Sequence, residues 1–368
     1  MDKSVIKNYA VDARKKLIDA VSHKANQLYI FADESKSLKP GNEVEQLKSD
    51  GIYLTPEQIQ ARTRFYETLL IEDIPYKPAV FDRKMEEIAY TWFNRLIALR
   101  FMEINDYLPS GIRILSSKDK GRVEPDALRE VDILPYVDKS KVALLKADTD
   151  FNAPEKLYRY ILIAQCNALS EILPRMFQQI NDYTELLLPD TLYTTEGIVH
   201  ELVNAIKEED FHVEAQGQIE IIGWLYQYYT SERKDEVFAA LKKNVKLNKD
   251  TIPVATQLFT PQWIVKYMVE NSLGRFWLTH CPQSTIQGNA ENALREMWDY
   301  YIDDAEQEED VKAKLKEIKE SLTLKDPTQI KLIDPSPVWV AVIFWFMPLM
   351  FCFKFISIKG ILIGIFQI

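Results

Sequence analysis

Two short segments of this chain combine residue types that suit a charged ligand. The first is Ala255-Thr256-Gln257-Leu258-Phe259-Thr260-Pro261-Gln262-Trp263-Ile264-Val265-Lys266-Tyr267-Met268-Val269. Thr260 suits a helix N-cap and Pro261 the first helical position, and Ile264, Val265, Tyr267 and Met268 give the helix that follows an apolar face. A helix start presents bare N–H groups and partial positive charge, which favour a carboxylate. Taken alone, the Thr-Pro pair describes no more than a well-capped helix. The second segment is Lys331-Leu332-Ile333-Asp334-Pro335, which follows a polar Asp-Pro-Thr turn and reads as a strand.

The residues after Pro335 change character. No charged residue occurs from Pro335 to Phe353, and only Lys354 and Lys359 occur from there to Ile368. An uncharged run of roughly 20 residues has the length of a membrane span. Pro348 in the middle of the run and a second apolar stretch after Lys359 fit a single clean span poorly. The genetic code gives a different reading. With codons started at the third base, Trp339-Val340 must give Gly, Phe344-Trp345 Leu, Trp345-Phe346 Val, Met347-Pro348 Ala, Met350-Phe351 Val and Phe351-Cys352 Leu. Permissible choices elsewhere turn the tail into Asp-Pro, two residues, Gly-Ser-Gly-His and an amphipathic helix. That is a strand-turn-helix cofactor loop of the doubly wound type, in which glycines let backbone amides approach a ligand. Residues 336–368 are therefore expected to be an out-of-frame, non-native tail, and no membrane partner is expected.

The elements that must hold these segments are mostly helices. The chain has 368 residues, enough for two domains, with 47% hydrophobic residues, 27% charged residues and only 11 glycines. Amphipathic spacing predicts a helix over 11–30. Thr55, Pro56 and Gln58 form a capping box that starts another, running to about residue 71. The segment 83–105 is aromatic and aliphatic almost all round, the pattern of a buried central helix; Arg95 and Arg100 could contact phosphate, but as stem-packing, ion-paired residues they need no function. Residues 109–150 read as mixed and loop-rich, with Lys118, Lys120 and Arg122 as a solvated basic cluster. Further helices are expected over 154–180, 194–207 and 216–229, with a charged helix and linker over 231–250 and a charged, solvated helix pair or hairpin over 303–320; Ile219, Ile222, Tyr226 and Tyr229 share one face of the helix over 216–229.

A net charge of -10 leaves no general footprint for nucleic acid, so any DNA contact must come from a local patch. Cys166, Cys281 and Cys352 lack metal spacing, and His23, His200, His212 and His280 are scattered, so no metal site is expected. The unpaired thiols and the absence of a signal-peptide pattern suit the cytoplasm.

Gln-Leu-Phe-Thr-Pro with its helix, followed later by Leu-Ile-Asp-Pro, resembles the paired signature of amino-type DNA methyltransferases that modify adenine N6. Ala-Tyr-Thr-Trp-Phe-Asn-Arg-Leu (89–96), Gly-Gln-Ile-Glu-Ile-Ile-Gly-Trp-Leu-Tyr-Gln-Tyr-Tyr (217–229) and Met-Val-Glu-Asn-Ser-Leu-Gly-Arg-Phe-Trp (268–277) are similar to the adenine-specific methyltransferases of BREX phage-exclusion systems. The resemblance runs over residues 1–335. It implies a mainly α fold: a helical N-terminal domain over 1–250, then over 251–335 the truncated start of a Rossmann-like (α/β) methyltransferase domain. It also implies S-adenosylmethionine as cofactor, with Phe259, Thr260 and Pro261 near its methionine part and Asp334 and Pro335 opening the cofactor loop. DNA is the implied partner, with other phage-defence proteins as further ones. The family's Asn-Pro-Pro-Tyr loop, which holds the flipped adenine, does not occur in these residues. No catalytic residue is therefore assigned, and the chain is expected to be inactive alone. Two other readings are a membrane-anchored helical interaction protein and a fused restriction-modification enzyme; the latter needs a metal-binding Asp and Glu-x-Lys strand pair that is not evident.

Overall fold

The computed structural model describes residues 2–70, 76–174, 176–177, 183–213, 220–247, 251–256, 262–280, 298–303 and 305–321. These residues are mainly helical, with no strand among them. The chain divides into two units, Met1–Val254 and Ala255–Ile368.

The first unit contains α1 (Lys3–Gln27), α2 (Glu43–Ser49), α3 (Pro56–Leu69), α4 (Pro78–Ile104), α5 (Asp126–Arg129), α6 (Lys139–Lys146), α7 (Ala153–Leu169), α8 (Tyr183–Leu186), α9 (Ile198–Ala205), α10 (Glu208–Phe211), α11 (Glu220–Tyr229) and α12 (Ser231–Lys242), with α13 (Thr251–Thr256) at its end. The central helix is α4, whose Phe81, Met85, Ile88, Trp92, Phe93, Leu96, Ile97 and Phe101 are all buried. Each such side chain contributes about 1.5–3 kcal/mol of apolar burial. Helix α1 packs on α4 and α11 through Ile6, Ala10, Leu17 and Val21. Glu86 on α4 accepts from Arg14 on α1 and Arg233 on α12, which ties three helices to one carboxylate.

The helix starts follow the local code. In the capping box of α3, Gln58 N donates to Thr55 Oγ1 at 3.3 Å and Thr55 N to Gln58 Oε1 at 2.9 Å. Helix α4 begins at Pro78, five residues before its apolar pattern does, because proline is well suited to the first turn. Helix α7 ends at Leu169 and not near residue 180: Ser170 turns its hydroxyl onto Asn167 O, and Pro174 disfavours helix in the residue before it. The loop-rich stretch 109–150 carries α5 and α6, the latter capped by Asp138.

Connections are held by buried charge. Arg62, fully buried, donates to the carbonyls of Leu28, Tyr29 and Leu38 and so shapes the crossing from α1 to α2. On α7, Glu155 accepts from Leu192 N and from the backbone and hydroxyl of Thr194, while Arg159 one turn on donates to the carbonyls of Glu185, Leu186, Leu188 and Pro189.

In the second unit, α14 (Gln262–Val269) passes into a π-helical turn, Glu270–Gly274, and on into α15 (Arg275–His280). Helix α16 (Glu309–Ser321) lies beyond a short irregular segment, 298–303. Among the described residues no helix is long and apolar enough to cross a membrane.

Candidate functional site

The residues expected to hold the cofactor, Phe259, Thr260, Pro261, Asp334 and Pro335, lie outside the described residues, as do the strand expected over 331–335 and the tail 336–368. The described helix that follows Pro261 is anchored by a network that sequence reasoning did not foresee.

That anchor is a clamp between the π-helical turn and the segment 298–303. Asn271 Nδ2 donates to Tyr300 O at 2.7 Å and its Oδ1 accepts from Ile302 N at 2.8 Å, so one side-chain amide pairs with the segment's backbone as a neighbouring strand would. Glu270, buried, accepts from Tyr300 N at 2.7 Å. Lys266 reaches Asp299 at 3.0 Å, and Arg275 donates to Ile302 O while its guanidinium lies 5.5 Å from the Tyr301 ring centroid. Gly274 leaves room for Trp298, whose ring would meet a Cβ at 2.8 Å.

A π turn widens the helix by one residue and shifts the side chains after it, a local irregularity common where a helix must meet a special partner. Here it brings Glu270, Asn271, Gly274 and Arg275 into contact with one short segment. Burial pushes the Glu270 carboxyl above the ordinary range, opposed by the Tyr300 N–H and Lys266. The hydrogen bond to Asp299 holds the Lys266 ammonium above its usual value. Chemically this is a clamp, with Glu270 spent on a backbone donor. Helix α14 keeps Trp263, Tyr267 and Met268 exposed. Among the described residues no group of three or more His, Cys, Asp or Glu is placed to hold a metal ion.

Over 348 residues the chain is 41% identical to the adenine-specific methyltransferase PglX of Lacticaseibacillus casei strain Zhang. Over 344 residues it is 38% identical to the adenine-specific methyltransferase BrxX of Escherichia coli O9:H4 strain HS. The chain is similar to both along most of its length. Each match covers 91% of this chain, which spans 28% of the length of PglX and 26% of BrxX. No family model matches the chain.

The three stretches that resemble this family acquire physical roles in the structure. From 89–96, Trp92 is buried and donates through Nε1 to Thr184 O at 2.9 Å, and Arg95 lies over its ring. Phe93 meets Tyr229, from the stretch 217–229, at 4.4 Å between ring centroids; Tyr90 also touches Tyr226 and Tyr229. The first two stretches are thus the two sides of one aromatic seam between α4 and α11. The third, 268–277, supplies the π turn and its clamp. Residue type alone hinted at this, since Asn and Gly inside an apolar helix are costly without a local reason.

Proposed function

We propose that this chain carries the first part of a site-specific DNA methyltransferase that transfers the methyl group of S-adenosylmethionine to adenine N6, serving a BREX-type phage-defence system in the cytoplasm. The observation that carries this reading is the 41% identity to PglX along nine-tenths of the chain, which includes the Gln-Leu-Phe-Thr-Pro segment. In this reading Phe259, Thr260 and Pro261 adjoin the methionine part of the cofactor, and the clamp on 298–303 fixes the helix they begin. Residues 251–335 are the start of a Rossmann-like domain, with Asp334 and Pro335 at the head of the cofactor loop.

Methyl transfer in such a site needs the adenine rotated out of the duplex and its amine made more nucleophilic by preorganised acceptors. No Asn-Pro-Pro sequence stands among these 368 residues to supply them. The proposal therefore includes that residues 336–368 are read out of frame and that the chain does not methylate by itself.

Sequencing the gene downstream of codon 335 tests the frame: an open message with Gly-Ser-Gly in the shifted frame is expected, and stops or unrelated text in every frame would refute it. Calorimetry with S-adenosylmethionine tests the incomplete site. Tight binding to this chain would contradict it.

A further inference from the structure

We propose that Arg100 and Arg113 form a phosphate-binding site in the first unit, held in this structure by the side chain of Glu208, which an incoming phosphate group displaces. Arg100 is fully buried and fixed: its Nη1 donates to Glu103 at 2.6 Å and to Ser116 Oγ at 2.7 Å. Glu103 is fully committed, since it also accepts from Ile114 N, Leu115 N and Ser116 Oγ. The second nitrogen of Arg100, Nη2, points to Glu208 Oε1 at 3.3 Å, and Arg113 Nη1 reaches that oxygen at 2.7 Å. Two guanidinium groups from different elements thus converge on one carboxylate oxygen.

The occupant is weakly held in comparison with its seat. Glu208 has 43% of its side chain exposed, against 0% for Arg100 and 15% for Arg113. Exposed carboxylates contribute little in ion pairs, whereas a guanidinium recognises phosphate through parallel charge-assisted bonds. Both arginines also keep a buried Nε–H without a hydrogen-bond partner among the described residues.

The loop that carries Arg113 is rigid enough to preform the site. Asp126 accepts from Ser117 Oγ at 2.6 Å and from Lys118 N at 2.9 Å, as Glu103 does from 114–116. The same loop brings the exposed Lys118 and Lys120, of which Lys118 is only loosely paired with Asp106 at 3.5 Å. Glu209 and Asp210, beside Glu208, oppose any anion. Binding therefore depends on direct guanidinium contact. A local site of this kind is what a chain of net charge -10 needs for a phosphodiester backbone.

As a DNA contact the site rests on the methyltransferase reading; as a phosphate site it does not. The test titrates the 368-residue chain with inorganic phosphate by calorimetry and with a short unmodified DNA duplex by fluorescence anisotropy. Glu208→Gln, which keeps an acceptor but removes the competing charge, should tighten phosphate about fivefold, and Arg113→Ala should weaken it about tenfold. Parallel changes for the duplex assign the site to nucleic acid. Phosphate changes without duplex changes keep the site and remove the DNA source. Unchanged phosphate affinity in both variants overturns the proposal, while duplex binding that ignores both variants leaves the methyltransferase reading standing. Should Arg113→Ala unfold the loop, the Glu208→Gln arm decides alone.

Discussion

Gly274 lies against the indole of Trp298 so closely that a Cβ at Gly274 would stand 2.8 Å from the ring. The ring, and not a flexible chain end, fills the space, so any larger residue must push the 298–303 segment away. Gly274→Ala should destabilise the clamp by about 1–3 kcal/mol, the usual cost of overpacking. Hydrogen exchange at the Tyr300 and Ile302 amides is the direct readout, and unchanged protection would refute the contact.

Glu270 should make the same clamp sensitive to pH. Its carboxyl titrates above the ordinary value because it is buried. A raised folded-state pKa means that the protonated form favours the folded clamp. This contribution is complete below the ordinary glutamate range and is lost as pH rises through the raised value. Glu270→Gln retains an acceptor for Tyr300 N and should flatten that dependence. Protection factors for Tyr300 measured across the acid range should slope in the native chain and not in the variant.

Arg62 holds three backbone carbonyls while fully buried. Arg62→Ala leaves those acceptors without their donor and the buried Glu43 without its ion-pair partner at 3.6 Å, so a loss of about 3–5 kcal/mol is expected. Arg62→Lys should rescue little, because one ammonium cannot span three carbonyls fixed by a planar fork. Denaturant midpoints of the two variants check this.

At Gly197 the obstacle is backbone. A Cβ there would come within 2.1 Å of Leu192 O, the oxygen that accepts from Val199 N at the start of α9. Gly197→Ala should therefore cost more than Gly274→Ala, since the closer clash is with a carbonyl held by the Val199 and His200 amides, whereas at Gly274 the short 298–303 segment can shift. Comparison of the two melting temperatures tests the order.

Cys166 should be inert in the folded chain. Burial pushes its thiol up to about 12, against the opposing pull of Arg95. Only the thiolate reacts, so in a Cys281→Ser, Cys352→Ser background labelling should proceed at the rate of unfolding. Rapid labelling under native conditions would show that the α7 core opens.

Much of the helical architecture was legible because it depends on neighbours in sequence. Thr55, Pro56 and Gln58 need only each other to start α3, and the apolar run of 83–105 marks a helix buried almost all round wherever it lies. The extent of α7 was not legible, because Ser170 and the pre-proline restriction outweigh an apolar pattern that continues past Leu169. The cofactor segments at Phe259 to Pro261 and Asp334 to Pro335 were legible only as text similar to a family.

What the sequence by itself determined is the capped start of α3, the central helix α4, the membership of Trp92, Phe93, Tyr226 and Tyr229 in a core, and the resemblance to adenine-specific methyltransferases. Tertiary structure alone decided which charges are spent and which are available. Arg62, Arg100 and Glu103 look alike on paper, yet each finds partners on another element, and Asn271 meets a segment about 30 residues farther along. Pattern along a chain reports which face of a helix is apolar. The partner of a buried charge is fixed by desolvation, which forces each ion to the donor or acceptor that the packed elements place within reach.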